Sequence, residues 1–94
     1  MSDRDAPLAL VSLPAGTVGV VTGLSGGAAF ASRLAGMGLT VGVGLEVLHN
    51  AGRGPVLIRV RETRLALGRG EAARVLVRPS LGQSGRDRSS IEPP

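Results

Sequence analysis

The sequence predicts a mainly β fold: a small, partly open barrel of five short strands, with one short α-helix after the first strand and a helical turn before the last. Three observations carry this expectation. Apolar residues recur with period two in several short runs, glycine-rich clusters separate those runs, and a single stretch switches to helical spacing. The chain has 94 residues, enough for one domain and not two. At this size only about 60–65% of the unfolded surface is buried on folding, so every large apolar side chain counts.

Each element follows in order. Val18 and Val20 open the first strand after the Pro14-Ala15-Gly16 turn. From Ala28 to Met37 the apolar residues Phe30, Ala31, Leu34 and Met37 fall at helical spacing, with Ala28, Ala29 and Ala35 as good helix formers between them. Gly38 supplies the left-handed residue that ends such a helix, and Leu39 folds back on Leu34 in the Schellman manner. Leu45 and Val47 then alternate with Glu46 and Leu48, and Val56, Ile58 and Val60 alternate with Leu57, Arg59 and Arg61. The second of these runs has one buried face and one basic, largely solvated face. Between them Asn50-Ala51-Gly52-Arg53-Gly54-Pro55 reads as the loop of a β-hairpin. Leu65 and Leu67 form a short strand bounded by Gly68 and Gly70. Glu71-Ala72-Ala73 makes a helical turn with its carboxylate near the positive end, and Val75 and Val77, flanked by Arg74 and Arg78, close the domain.

The folded unit is thus 7–79, with a flexible start over 1–6. From Ser80 to Pro94 the only sizeable apolar residues are Leu81 and Ile91, too few to offset the entropy of ordering, and this stretch reads as a disordered tail. Five short strands in so small a unit are too few for a sandwich and suit a barrel of the SH3-like or OB-like kind.

Composition removes several classes of function. Cysteine is absent, which excludes disulfides and thiolate zinc sites. One Phe with no Tyr or Trp leaves no platform for stacking several bases. The uncharged run from Ala6 to Ser32 is broken by Pro7, Pro14 and five glycines, so no apolar block of membrane-spanning length survives in it. The leading Met-Ser-Asp-Arg-Asp is net acidic where a secretory signal needs positive charge. The chain is read as cytoplasmic.

The motifs with chemical content are few. Gly68-Arg69-Gly70-Glu71-Ala72-Ala73 satisfies the spacing of a dinucleotide-binding turn, but Val75 already begins the next strand where that motif needs a helix and a long βαβ unit. A chain without Lys cannot build a Walker loop. His49 is the only His. With Glu46 three positions earlier in a strand, the two side chains are expected on opposite faces of the sheet, a weak site for Fe2+ or Zn2+. No carboxylate pair, and no Ser with a base nearby in sequence, points to acid–base or nucleophilic catalysis. The arginines remain: within 7–79 eight Arg stand against three Glu, a net charge of +5. Arg59, Arg61 and Arg64 lie close along one hairpin arm, where their forked guanidinium groups suit carboxylate or phosphate partners. An excess of arginine over lysine equally follows from a sequence rich in Ala, Gly and Arg; the charge and the strand–loop glycines Gly16, Gly19 and Gly23 keep a nucleic-acid-binding SH3-like module as the alternative function, against which stands the lack of Tyr, Trp and all but one Phe.

Leu13-Pro14-Ala15-Gly16, Val18-Gly19-Val20-Val21, Arg33-Leu34-Ala35-Gly36-Met37-Gly38-Leu39, Gly42, Val47-Leu48, Gly54-Pro55, Val60, and Leu65-Ala66-Leu67 through Ala72 to Val75 and Val77 stand in an order that resembles the FeoA family, ferrous iron transport protein A. The likeness spans about Leu10 to Pro79, and its most specific blocks are RLAGMGL and LALGRGEAARVLV. Gly70 and the stretch from Ser80 onward depart from the family's usual compact pattern. The resemblance implies an SH3-like barrel. It further implies a non-enzymatic accessory role on the cytoplasmic GTP-binding domain of the FeoB-type membrane transporter, the chain being peripheral to the membrane only through that partner. Similar barrels serve as regulatory C-terminal domains of iron-dependent repressors, which keeps a metal-responsive role and a homo-oligomer in view. On these positions Gly16, Leu34, Gly38, Leu39, Gly42, Gly54 and Pro55 form the structural motif. Arg33, assigned to the helix start, with Met37, an exposed Leu48, Arg59, Arg61 and Arg64, are the candidate partner-binding residues.

Overall fold

The structure, a computed structural model, describes residues 6–80. The expected flexible start and disordered tail therefore lie outside the described residues except for Ala6 and Ser80. Strand β1 (Leu8–Ala9) runs into a single 3-10 turn (Leu10–Ser12), followed by β2 (Val18–Leu24) and helix α1 (Gly27–Ala35). Strands β3 (Gly44–His49), β4 (Val56–Val60) and β5 (Thr63–Leu67) come next, then the one-turn helix α2 (Arg69–Ala72) and β6 (Val75–Pro79). All six strands join one sheet in the order β1-β6-β2-β3-β4-β5, and every neighbouring pair is antiparallel. β1 and β5 end the sheet and do not pair with each other, so the barrel is partly open.

The periodicity explains this layout. In β4 the residues Val56, Ile58 and Val60 are buried while Leu57 and Arg59 are half-buried on the other side. In β6 Val75 and Val77 are fully buried, and in β3 Leu45 and Val47 point the same way. Helix α1 adds Phe30 and Leu34 to this core. Its end follows from hydrogen bonding: the Gly38 N–H donates to the Ala35 carbonyl at 2.9 Å and the Leu39 N–H to the Leu34 carbonyl at 3.0 Å, with Gly38 at φ 93°. Those two bonds are the Schellman pair, and they turn Leu39 inward, where it is completely buried.

Three details differ from the expectation. The sixth strand, β1, is two residues long, too short to show any period, and is recruited by pairing Leu8 with Val77 and Ala9 with Leu76. In β2 the inward residues are Gly19 and Val21, while Val18 and Val20 are half-buried on the outer side. Gly19 is required there, since a Cβ would come within 2.6 Å of the Val77 Cγ1 and 2.7 Å of the Arg78 carbonyl oxygen. Finally, Arg61 is not a residue of β4; it sits in the tight turn after it, at φ 59°.

Candidate functional site

The candidate residues fall into two groups on different elements. The first surrounds α1. Arg33 lies in the last turn of that helix and not at its start. Its Nη2 donates to the Glu71 Oε2 in an ion pair that ties α1 to α2. Glu71 uses its other oxygen, Oε1, to accept the Gly68 N–H at 3.2 Å, closing the start of α2. The guanidinium groups of Arg33 and Arg74 lie 5.8 and 5.7 Å from the centre of the Phe30 ring. Past the helix end, Met37 is exposed at 37% and Val41 at 59%. Val41 carries no periodic signal, because it sits between two positive-φ glycines, Gly38 and Gly42, and belongs to no element; only its β-branched side chain within a glycine-rich stretch marks it.

The second group lies on the outer face of β3, β4 and β5. Register places Glu46 across from Arg59, and Arg59 across from Arg64. Arg59 Nη2 donates to Glu46 Oε1 at 2.8 Å, so this arginine is already engaged. Arg61 and Arg64 are exposed and make no ion pair among the described residues. Leu48 is half-buried, not exposed as expected, because a β-bulge lies between Val47 and His49. The same bulge overturns the expected placement of Glu46 and His49. Glu46 opposes Arg59 and His49 opposes Leu57, and since Leu57 and Arg59 share one face of β4, so do Glu46 and His49. A bulge leaves no mark in a period-two pattern, which is why the alternation misplaced both residues. Among the described residues no three His, Cys, Asp or Glu side chains gather as a metal site.

The structural-motif residues occupy turns and core. Leu34 and Leu39 are wholly buried, while Gly16, Gly38, Gly42 and Gly54 all have positive φ and Pro55 leads into β4. Sequence reasoning missed a polar cluster beneath the β3–β4 loop. The Asn50 side-chain amide donates to the carbonyls of Val11 and Leu13 at 3.0 and 2.8 Å. Arg69 donates to the Asn50 Oδ1 at 3.1 Å, and to the carbonyls of Gly54 and Val11 at 3.2 and 3.3 Å. Its residues are far apart in sequence, and no local spacing betrays them.

No described helix is long and apolar enough to cross a membrane.

Comparison with known proteins agrees with this geometry. The FeoA domain model matches residues 8–79. A crystal structure of the iron uptake regulatory protein FeoA superposes with a TM-score of 0.75 at 36% identity, covering 79% of this chain and 99% of that one. The FeoA of Stenotrophomonas maltophilia, a procaryotic SH3 domain protein solved in complex with zinc, is 34% identical over 72% of this chain and 86% of its own, with a TM-score of 0.63. The FeoA protein of Chlorobium tepidum gives 30% identity and a TM-score of 0.72 over 80% of this chain and 72% of that one. No sequence among functionally curated proteins matches. With an SH3-like barrel, its helix cap and its late α2–β6 block all in the family's order, the chain belongs to the FeoA family.

Proposed function

We propose that this chain is a non-enzymatic, cytoplasmic accessory protein of ferrous iron uptake, which binds the GTP-binding domain of an FeoB-type transporter and modulates it. The observation that carries the reading is the family match across residues 8–79, nearly the whole described barrel. The surface chemistry is compatible with it: Arg33, Met37, Leu48, Arg59, Arg61 and Arg64 present guanidinium groups and apolar side chains in the mixture that protein interfaces favour. The test is to mix the full chain with the soluble GTP-binding domain of its cognate transporter, measuring association and nucleotide turnover. Binding at micromolar concentration, or altered turnover, is expected. Neither effect at tens of micromolar removes the reading.

A metal-responsive reading has two observations in its favour. The β3 bulge sets His49 and Glu46 on a common face, and a relative was solved with zinc. Two residues are short of a complete ligand set, so Fe2+ or Zn2+ would need further ligands from a second copy. Calorimetry with either metal tests this, and a flat titration with no thermal stabilisation rejects it.

A further inference from the structure

The β4–β5 hairpin closes through the two-residue turn Arg61-Glu62 between the paired residues Val60 and Thr63. In such a hairpin the pair flanking the turn exchanges both hydrogen bonds, and hydrogen-bonded pairs then alternate along the strands. Thr63, Leu65 and Leu67 therefore direct their backbone amides and carbonyls to β4, while Arg64 and Ala66 direct theirs away. β5 ends the sheet. Among the described residues no hydrogen bond reaches the N–H or C=O of Arg64 or Ala66 from that side. An unpaired strand edge of this kind is a template for another strand.

The side chains on the same hairpin add a charge. Arg61 is the one non-glycine among the described residues at positive φ, and the seven other such positions are all glycine. An L side chain is disfavoured there, and Arg61 makes no ion pair or hydrogen bond within the described fold that would offset the cost. Arg64, next along the edge, is also unpaired, because the Glu46 carboxylate holds Arg59 across the ladder. Glu62 is the only acid in the turn. Two free guanidinium groups thus flank an open edge whose exposed backbone groups belong to Arg64 and Ala66.

We propose that the β5 edge receives an extended acidic segment of a partner protein as an added strand. The segment's main chain pairs with Arg64 and Ala66, and its carboxylates meet the Arg61 and Arg64 guanidinium groups. This deepens the reading of the chain as a docking protein and rests on it. A second copy of this chain is a poorer occupant, since pairing two β5 edges brings the arginines of both hairpins onto one seam. Nucleic acid can satisfy the arginines with phosphates but offers no ladder to Arg64 and Ala66.

The experiment is residue-resolved amide exchange of the full chain, alone and with excess soluble GTP-binding domain of the cognate transporter, beside titrations of Arg61→Gly and Arg64→Ala. In the free protein the Arg64 and Ala66 amides exchange at least tenfold faster than those of Leu65 and Leu67, and in the complex they slow at least tenfold. Arg61→Gly melts higher than the wild type yet binds at least threefold more weakly. Arg64→Ala melts as the wild type and also binds at least threefold more weakly. Binding that leaves the Arg64 and Ala66 exchange unchanged overturns strand addition while the proposed function stands; no binding by the wild type overturns both. Slowing of the same two amides in the free chain as its concentration rises, or full displacement of the domain by a 20-nucleotide oligo-dT, assigns the edge to another occupant and also overturns the proposal.

Discussion

Two neighbouring glycines make opposite demands on a substituent. Gly38 sits at φ 93° with open space around a would-be Cβ, so any penalty there is conformational and not steric. Gly36 has an ordinary helical φ of −64°, and its Cβ would lie 3.4 Å from the Arg33 carbonyl, a normal contact. Gly38→Val is expected to destabilise by about 1–2 kcal/mol through the left-handed backbone. Gly36→Ala is expected to be neutral or to stabilise by up to about 1 kcal/mol, because it restricts the unfolded chain. In a domain of this size 1 kcal/mol moves the melting temperature by roughly 4–8 °C, so thermal unfolding separates the two; coincident melting curves would show the cap to be misplaced. Gly19 is the steric counterpart. A methyl group there meets the Arg78 carbonyl oxygen at 2.7 Å, backbone that cannot swing aside, and Gly19→Ala is expected to cost about 1–3 kcal/mol by prying β2 from β6. Only the first of these roles was legible in the sequence. The helical spacing before Gly38 announces a cap, whereas the partner of Gly19 lies in a strand nearly sixty residues away.

The elements differ in what fastens them. Helix α1 is held by Phe30 and Leu34 in the core, and its ion pair with α2 is exposed, so Arg33→Ala is expected to cost no more than about 1 kcal/mol. Glu71→Ala removes that pair and the acceptor for the Gly68 N–H together, and is expected to cost more, about 0.5–2 kcal/mol. Chemical denaturation of both variants checks the order; a larger loss for Arg33→Ala would contradict it. The β3–β4 loop is fastened by polar groups. Asn50→Ala leaves the Leu13 carbonyl without its side-chain donor, the Val11 carbonyl with Arg69 alone and Arg69 without one acceptor, and is expected to cost about 1–3 kcal/mol. If the melting temperature of Asn50→Ala equals that of the wild type, water replaces the amide fully. Strands long enough to alternate were legible as elements, including the inward face of β4 and β6. The bulge at Val47/His49 and the two-residue β1 were not, because their geometry is set by partners and not by local period.

At the scale of the whole molecule, the basic balance of the folded unit resolves into arginines with different tasks. Arg33 and Arg59 pair with acids, Arg69 donates to two carbonyls and an amide oxygen, Arg74 lies over the Phe30 ring, and Arg53, Arg61, Arg64 and Arg78 make no ion pair among the described residues. Net charge read from the sequence could not make this division, since pairing depends on register. The core was legible because a thin barrel needs almost every Leu and Val it has, whereas the ion pairs of Arg33 and Arg59 depend on acids carried by other elements.

Pairing of Leu8 with Val77 brings the entry and exit of the barrel side by side on adjacent antiparallel strands. A unit whose two exits touch can be spliced into another protein like a bead on a doubled thread, because the host chain need not be stretched or rerouted to accommodate it. The same adjacency means that a short flexible link between Leu8 and Pro79, with new ends opened in the β3–β4 loop at Gly52, leaves every strand pairing intact while severing the loop held by Asn50 and Arg69. Circularly permuting the barrel therefore separates the contribution of the β-ladder from that of the polar clasp.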